Sequence, residues 1–277
     1  MRQILLTLLL LTVTLFANDA RLDNYPRAQK WEKDANTNAD SAYNLAYIYQ
    51  TKIKDYEKAI ELYKRAYKLD KRIDSAVNIA YVYSNKLQNY NSAIEWYKIG
   101  VEMGDSDAIF NLANTYNLKL NDYENAIVYY KKAIDKGDRD APVSLALLYK
   151  KLHQYDDAIF YYKKAYEIGE IKAAYGLGYL YIHSLKDGSN AIIWYKKAAK
   201  EGYAKAINNL AYVYYNKKDN VTASAYILAT IEYGFGGKKD TLNYLKNDWK
   251  IDKPTLKKAY KLQLKLDIPK HYRGGIE

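Results

Sequence analysis

Apolar and polar residues follow a pattern that recurs six times along this chain. In each copy an aliphatic residue is followed by a small residue and, three positions after that, by a tyrosine; the aliphatic positions are Leu45, Ile79, Leu112, Leu145, Leu177 and Leu210. In a second motif an alanine is followed four positions later by a tyrosine in the first five copies; the alanines are Ala59, Ala93, Ala126, Ala158, Ala191 and Ala223. Offsets of three, four and seven residues bring side chains to one face of a helix. Each copy therefore predicts two amphipathic helices.

The predicted helix ends agree with this division. Four residues before the alanine stands a residue suited to open a helix in five of six copies; the set is Asp55, Asn89, Asp122, Asp187 and Asp219, with Gln154 in the remaining copy. Eleven residues after the alanine stands a glycine, which can take the left-handed conformation that ends a helix; these are Gly104, Gly137, Gly169, Gly202 and Gly234. The first copy has Asp70 in this place. The chain therefore reads as six tandem helix-turn-helix units.

Several phrases of the sequence resemble a known family. NLAYIY, NIAYVY and NLAYVY, together with YEKAIELYKRA and AIIWYKKAAKEGYAKA, are similar to tetratricopeptide repeats of the Sel1-like subclass over about residues 27–235. The resemblance implies an all-α, right-handed α-solenoid of about six helix-turn-helix repeats, in which the first helices line a concave face. It also implies a protein that binds other proteins.

Four segments are expected from this pattern: a signal peptide over 1–17, an N-terminal capping helix over 18–38, the six repeats over 39–235, and a basic C-terminal helical cap and tail over 236–277. In the sixth repeat Leu228 and Ala229 stand where earlier repeats carry paired lysines. An apolar pair on a formerly solvated face must be covered, because terminal repeats have no further neighbour. We expect two helices, over 239–249 and 253–266, to cover it.

The first residues have the composition of an export leader. Arg2 precedes a 13-residue apolar run, Ile4 to Phe16, and Ala17 precedes polar residues. The run is shorter than the roughly 20 residues that span a bilayer. Cleavage after Ala17 and retention as an anchor are the two alternatives, and cleavage would give a periplasmic or secreted protein with no transmembrane span.

Charge and composition limit the partners. The chain carries a formal net charge of +11, and residues 236–277 hold 11 Lys and Arg against 5 Asp and Glu. Such a tail either contacts a cell-wall polymer, an anionic surface or an acidic partner, or is simply a solvated surface. No nucleic-acid motif accompanies the charge.

The sequence offers little for catalysis. It has no cysteine, and its three histidines, His153, His183 and His271, lie in no metal or triad pattern. Some exported Sel1-like proteins are associated with β-lactam hydrolysis, but those are rich in cysteine, and no Ser-x-x-Lys pair occurs here. We therefore predict neither an enzyme, nor a cofactor, nor a metal site.

The family resemblance assigns a partner-binding groove to the first helices. Its predicted residues are tyrosines and asparagines near the small residue of each first helix: Tyr43, Asn44, Tyr47, Asn78, Tyr81, Asn111, Asn114, Tyr175, Tyr179, Asn208 and Tyr212. Amides can pair with a peptide main chain, while tyrosines offer contact area with few rotamers to freeze. An extracytoplasmic protein-interaction scaffold is the leading hypothesis, a binder of cell-wall or exported polysaccharide is the alternative, and a third reading is that these residues only pack neighbouring repeats.

Overall fold

The computed structural model describes residues 19–276, so the expected leader, 1–17, lies outside the described residues. Within the described part every regular element is helical and no strand occurs. The chain forms two compact units, one up to Lys136 and one from Gly137 onwards, and each is described by itself below.

Unit 1 holds a lone helix and three helix pairs. A 3₁₀ turn, Ala20–Leu22, precedes seven α-helices: α1 (Pro26–Asp34), α2 (Ala39–Ile48), α3 (Tyr56–Asp70), α4 (Ile73–Asn85), α5 (Tyr90–Glu102), α6 (Ser106–Asn114) and α7 (Tyr123–Asp135). The helices α2 and α6 continue into π-helical turns, Tyr49–Ile53 and Thr115–Leu120. Helix α1 packs on α2, and consecutive helices from α2 to α7 pack against each other.

Unit 2 holds three further pairs and a C-terminal segment. Its helices are α8 (Ala141–Lys151), α9 (Tyr155–Glu167), α10 (Ile171–His183), α11 (Gly188–Lys200), α12 (Ala204–Asn216), α13 (Asn220–Thr230), α14 (Lys238–Asn243) and α15 (Lys253–Gln263). A 3₁₀ turn, Ile231–Tyr233, follows α13, and a π-helical turn, Tyr244–Asp248, follows α14. From α9 to α13 consecutive helices pack against each other as in unit 1.

The motif residues form the core of each unit. The aliphatic and small motif residues of the first helices are buried. The motif tyrosines of the second helices are buried too and are among the largest fully enclosed side chains; they are Tyr63, Tyr97, Tyr130, Tyr162 and Tyr195. Gly178 shows why the small position stays small, because a Cβ atom there would lie 2.4 Å from Cδ1 of Tyr195. The two helices of a repeat are thus joined by a tyrosine ring of the second helix that packs against a glycine or alanine of the first.

The helix ends follow the sequence pattern, with two differences. The carboxylates or amide of the five expected opening residues accept backbone N–H groups two or three residues on, whereas Gln154 makes no such bond. All five closing glycines have positive φ. In the first repeat, however, α3 extends through Asp70, and Lys71 takes the left-handed conformation one residue later than expected.

The C-terminal segment repeats the local turn but not the packing of a repeat. Lys250 has a φ of 54°, and the residue before the N-cap of each second helix has the same left-handed conformation. The N–H of Ile251 donates to the carbonyl of Leu245. Helix α15 nevertheless packs on α13, and Leu228 and Ala229 are fully buried.

Candidate partner-binding face

One register position of the first helices is exposed in five of the six repeats, Asn114 of α6 being the exception, and we call the surface that carries it the first-helix face of each unit. It is the position directly after the small residue. Tyr47, Tyr81, Tyr179 and Tyr212 stand there and are 51%, 38%, 39% and 42% exposed, and Leu147 holds the same position in α8. The motif tyrosines of the second helices, Tyr63, Tyr97, Tyr130, Tyr162 and Tyr195, are almost completely buried. These two sets of tyrosines therefore have different environments.

Tyr43 and Asn78, which the sequence assigned to the groove, are used in joining repeats. The Tyr43 ring lies edge-on to Tyr63 with centroids 5.3 Å apart, and its hydroxyl accepts from Nδ2 of Asn78 at 2.9 Å. Burial raises the pKa of Tyr43. The bond links the first repeat to the second, so these two side chains have a structural task of their own.

Asn114 serves a buried hydroxyl. Its Oδ1 accepts from the hydroxyl of Tyr130 at 2.7 Å, and the Tyr130 hydroxyl oxygen in turn accepts from Nδ2 of Asn117 at 3.2 Å. A buried phenol needs such a partner, and burial raises the pKa of Tyr130. Asn117 was not predicted from the sequence, since it lies beyond the repeating positions.

Three of the predicted amides remain unpaired. The side chains of Asn44, Asn111 and Asn208 are partly buried and form no hydrogen bond with another residue of the described chain. Each offers one carbonyl and two N–H groups. These amides have the hydrogen-bonding capacity that a bound main chain would need.

In unit 2 the first-helix face is an aromatic cluster. The ring of Tyr175 lies 6.4 Å from Tyr179, 5.8 Å from Tyr195 and 5.1 Å from Tyr203, which makes Tyr175 a packing residue. The ring of Tyr179 lies 4.1 Å from that of His183. Nζ of Lys150 lies 5.2 Å from the centroid of the Tyr179 ring, and the residue is 39% exposed.

Tyr212 is contacted by the C-terminal segment, which the sequence did not predict. Its hydroxyl is 3.2 Å from that of Tyr244, and its ring lies 5.7 Å from Trp249. Trp249 also stacks on Tyr215 with centroids 4.2 Å apart. The only sequence signal for this contact was the presence of aromatic residues in an otherwise basic tail. Through these residues the tail covers the first-helix face at repeat six.

The histidines have ordinary partners. Nδ1 of His153 lies 2.8 Å from the Tyr155 hydroxyl, and Nε2 of His271 lies 2.9 Å from the Leu266 carbonyl. Residues 19–276 bring no three His, Cys, Asp or Glu side chains together as a metal site. No helix in this part of the chain has the length and apolar character needed to cross a bilayer.

Helical pairs of about 33 residues that pack in series, with buried motif residues and an exposed first-helix face, define a helical-repeat protein of the α-solenoid class. The tetratricopeptide repeat profile matches residues 39–72, 106–135 and 143–168, and the Sel1 repeat profile matches 73–105 and 171–203. The chain belongs to the tetratricopeptide and Sel1-like repeat proteins. The predicted fold class and family are confirmed, and such repeats support a protein–protein interaction scaffold.

Solved structures with this architecture are similar to the chain. The protective antigen c5321 of uropathogenic Escherichia coli, which has an SLR fold, is 25% identical with a TM-score of 0.56 over 86% of this chain, which spans 55% of that one. MamA is 25% identical with a TM-score of 0.50 over 63% of this chain and 95% of its own. The C-terminal part of a TPR repeat-containing protein from Cytophaga hutchinsonii, 20% identical, has a TM-score of 0.57 over 81% of this chain and 95% of its own. No curated protein sequence matches the chain significantly.

Proposed function

We propose that this protein is an extracytoplasmic scaffold that holds an extended segment of a protein partner on its first-helix faces. The observation that carries the proposal is the exposure of Tyr47 and Tyr81, at one register position of successive first helices, in a fold that buries its second-helix tyrosines. Solvent-exposed rings repeated at one position contribute little to the core. They are suited to contact a partner, because tyrosine supplies rigid, amphipathic contact area at low entropic cost.

A peptide is favoured over a saccharide by the amides beside the rings. Asn44 and Asn111 flank this part of the face in unit 1 and make no hydrogen bond to the described residues. A main chain presents a donor and an acceptor at nearly every residue, which matches the amide group. Unit 1 therefore offers aromatic rings to the side chains of a bound peptide and amide groups to its main chain.

Photo-crosslinking in the native host tests the proposal. A benzophenone amino acid at position 81 should capture a protein. The same group at position 160 should not, because Phe160 lies on a second helix, although its ring is the more exposed of the two, at 59% against 38% for Tyr81. A titration with the captured segment should then show Tyr47→Ala and Tyr81→Ala each weakening binding by about 1–2 kcal/mol, while Phe160→Ala leaves it unchanged. Equal capture at both positions, or recovery of glycan in place of protein, would refute the proposed function.

Export is the second part of the proposal and rests on the leader composition of residues 1–17. Mass spectrometry of the protein from its host should find a new N-terminus at Asn18 or close to it. An intact Met1 in the membrane fraction would support the anchored alternative instead, and an intact Met1 in the cytosol would contradict export.

A further inference from the structure

Where the C-terminal segment meets the first-helix face of repeat six, it encloses a pocket of about 260 Å³. Its polar and aromatic lining comes from four parts of unit 2: Asn208 and Tyr212 of α12, Thr230 of α13, Phe235 of the loop after α13, and Asp240, Thr241 and Tyr244 of α14 and its π-helical turn. The pocket therefore exists only because the tail docks on the last repeat.

The aromatic residues present ring surface to this space. Tyr212 and Phe235 are 42% and 45% exposed, and the hydroxyls of Tyr212 and Tyr244 are 3.2 Å apart. Burial and the Tyr212 hydroxyl raise the pKa of Tyr244 to about 12, so the Tyr244 phenol is neutral at physiological pH. Neutral rings attract a cation through the negative face of the π-system.

The charge of the pocket points the same way. Asp240 is the only charged residue among the described residues that line it, and its carboxylate forms no ion pair with another described side chain. Of the neighbouring lysines, Lys238 donates its Nζ to the carbonyl of Gly274 at 3.0 Å, and Lys239 does not line the pocket.

We infer that this pocket binds the positively charged side chain of a lysine in the partner segment. The ammonium group pairs with Asp240 and lies against the rings of Tyr212, Phe235 and Tyr244, while Asn208 and Thr241 accept from its remaining N–H groups. The volume admits one such side chain and not a folded element. The inference rests on the proposed function, because it assigns a residue type to the segment that the scaffold holds.

A titration of the ¹⁵N-labelled full chain with Nα-acetyl-lysine methylamide tests the pocket directly. The amide signals of Gly236 and Gly237, at the pocket edge, should shift and saturate. The neutral norleucine analogue should bind at least about threefold more weakly, as loss of a cation–π contact and a charge predicts. Binding should also weaken at about 0.5 M salt, where an exposed ion pair is screened.

Two variants and one competing ligand decide the outcome. Asp240→Asn and Phe235→Ala should each weaken the lysine probe about two- to fivefold, and Glu167→Gln, at an exposed carboxylate outside the pocket lining, should not. Absent shifts, equal binding of norleucine, or tighter binding of tetramethylammonium than of the lysine probe would overturn the inference. Since the crosslinking test reads out unit 1, a failure here with intact capture at position 81 removes only the pocket.

Discussion

The sharpest test of the two tyrosine classes compares Tyr97→Ala with Tyr81→Ala. Both residues belong to the second repeat, but Tyr97 is 1% exposed in α5 and Tyr81 is 38% exposed in α4. Truncation of the first leaves a cavity between packed helices. Truncation of the second leaves a site that water can enter.

The expected magnitudes follow from the buried areas. Full burial of a tyrosine removes roughly 200 Å² from water, worth about 5 kcal/mol at about 25 cal/mol per Å², and core aromatic truncations cost about 3–5 kcal/mol. Tyr81 buries about three fifths of that area, which sets an upper limit of about 3 kcal/mol. Because no closed cavity forms and the unfolded chain also buries some surface, we expect a loss of about 1–2 kcal/mol for Tyr81→Ala.

Urea unfolding followed by circular dichroism measures both free energies, and the titration with the crosslinked segment measures affinity. Tyr97→Ala should reduce the free energy of unfolding strongly and leave the affinity of the folded fraction near the original value. Tyr81→Ala should reduce the free energy of unfolding by only about 1–2 kcal/mol and should weaken the affinity of the folded fraction. If Tyr81→Ala lost as much stability as Tyr97→Ala and its affinity were unchanged, Tyr81 would serve to pack neighbouring repeats. That result would refute partner binding on the first-helix face.

Three further predictions concern the fold. Gly178→Ala should destabilise the protein by about 1–3 kcal/mol in a urea melt, since the new Cβ meets the Tyr195 ring, whereas Gly188→Ala, whose Cβ would have contacts of 3.7 Å or more, should not; equal melts would contradict this account of the small position. Removal of residues 236–277 should lower the melting temperature or cause aggregation, because it uncovers a buried apolar face. An unchanged melting temperature with no increase in light scattering would argue against the cap. Burial raises the pKa of the enclosed tyrosines above the unfolded value of about 10, so stability should be fully present below pH 10 and fall as pH rises beyond it; absorbance at 295 nm should show an alkaline step with unfolding that Tyr97→Phe reduces, and titration of all phenols before unfolding would oppose it.

The first-helix face was predictable only in part, as Tyr43 and Tyr81 show. Both lie at repeating positions of a first helix, yet one ring packs on Tyr63 and bonds Asn78, while the other remains exposed. The helical register gives the face on which a side chain stands. It does not give the distance to the neighbouring repeat, on which burial depends.

The C-terminal segment illustrates the same limit. Leu228 and Ala229 indicated that something must cover α13, and Leu256 and Ala259 of α15 are buried accordingly. The contact of Tyr244 and Trp249 with Tyr212 could not be read from the sequence, because nothing in the tail repeats an earlier motif. The pocket that contains Asp240 is a consequence of that contact.

The sequence by itself determined the repeat length, the two helices of each repeat, their opening carboxylates and closing glycines, and the buried ring against each small residue. These are local properties, set by spacing along a helix and by backbone conformation, and they recur because each repeat meets the same neighbours. Tertiary structure alone decided which tyrosines and asparagines are occupied by packing, where the tail docks and what it encloses. Those outcomes depend on residues that are far apart in the chain coming within a few ångströms of each other. The periodicity of a single helix gives no information on such distances.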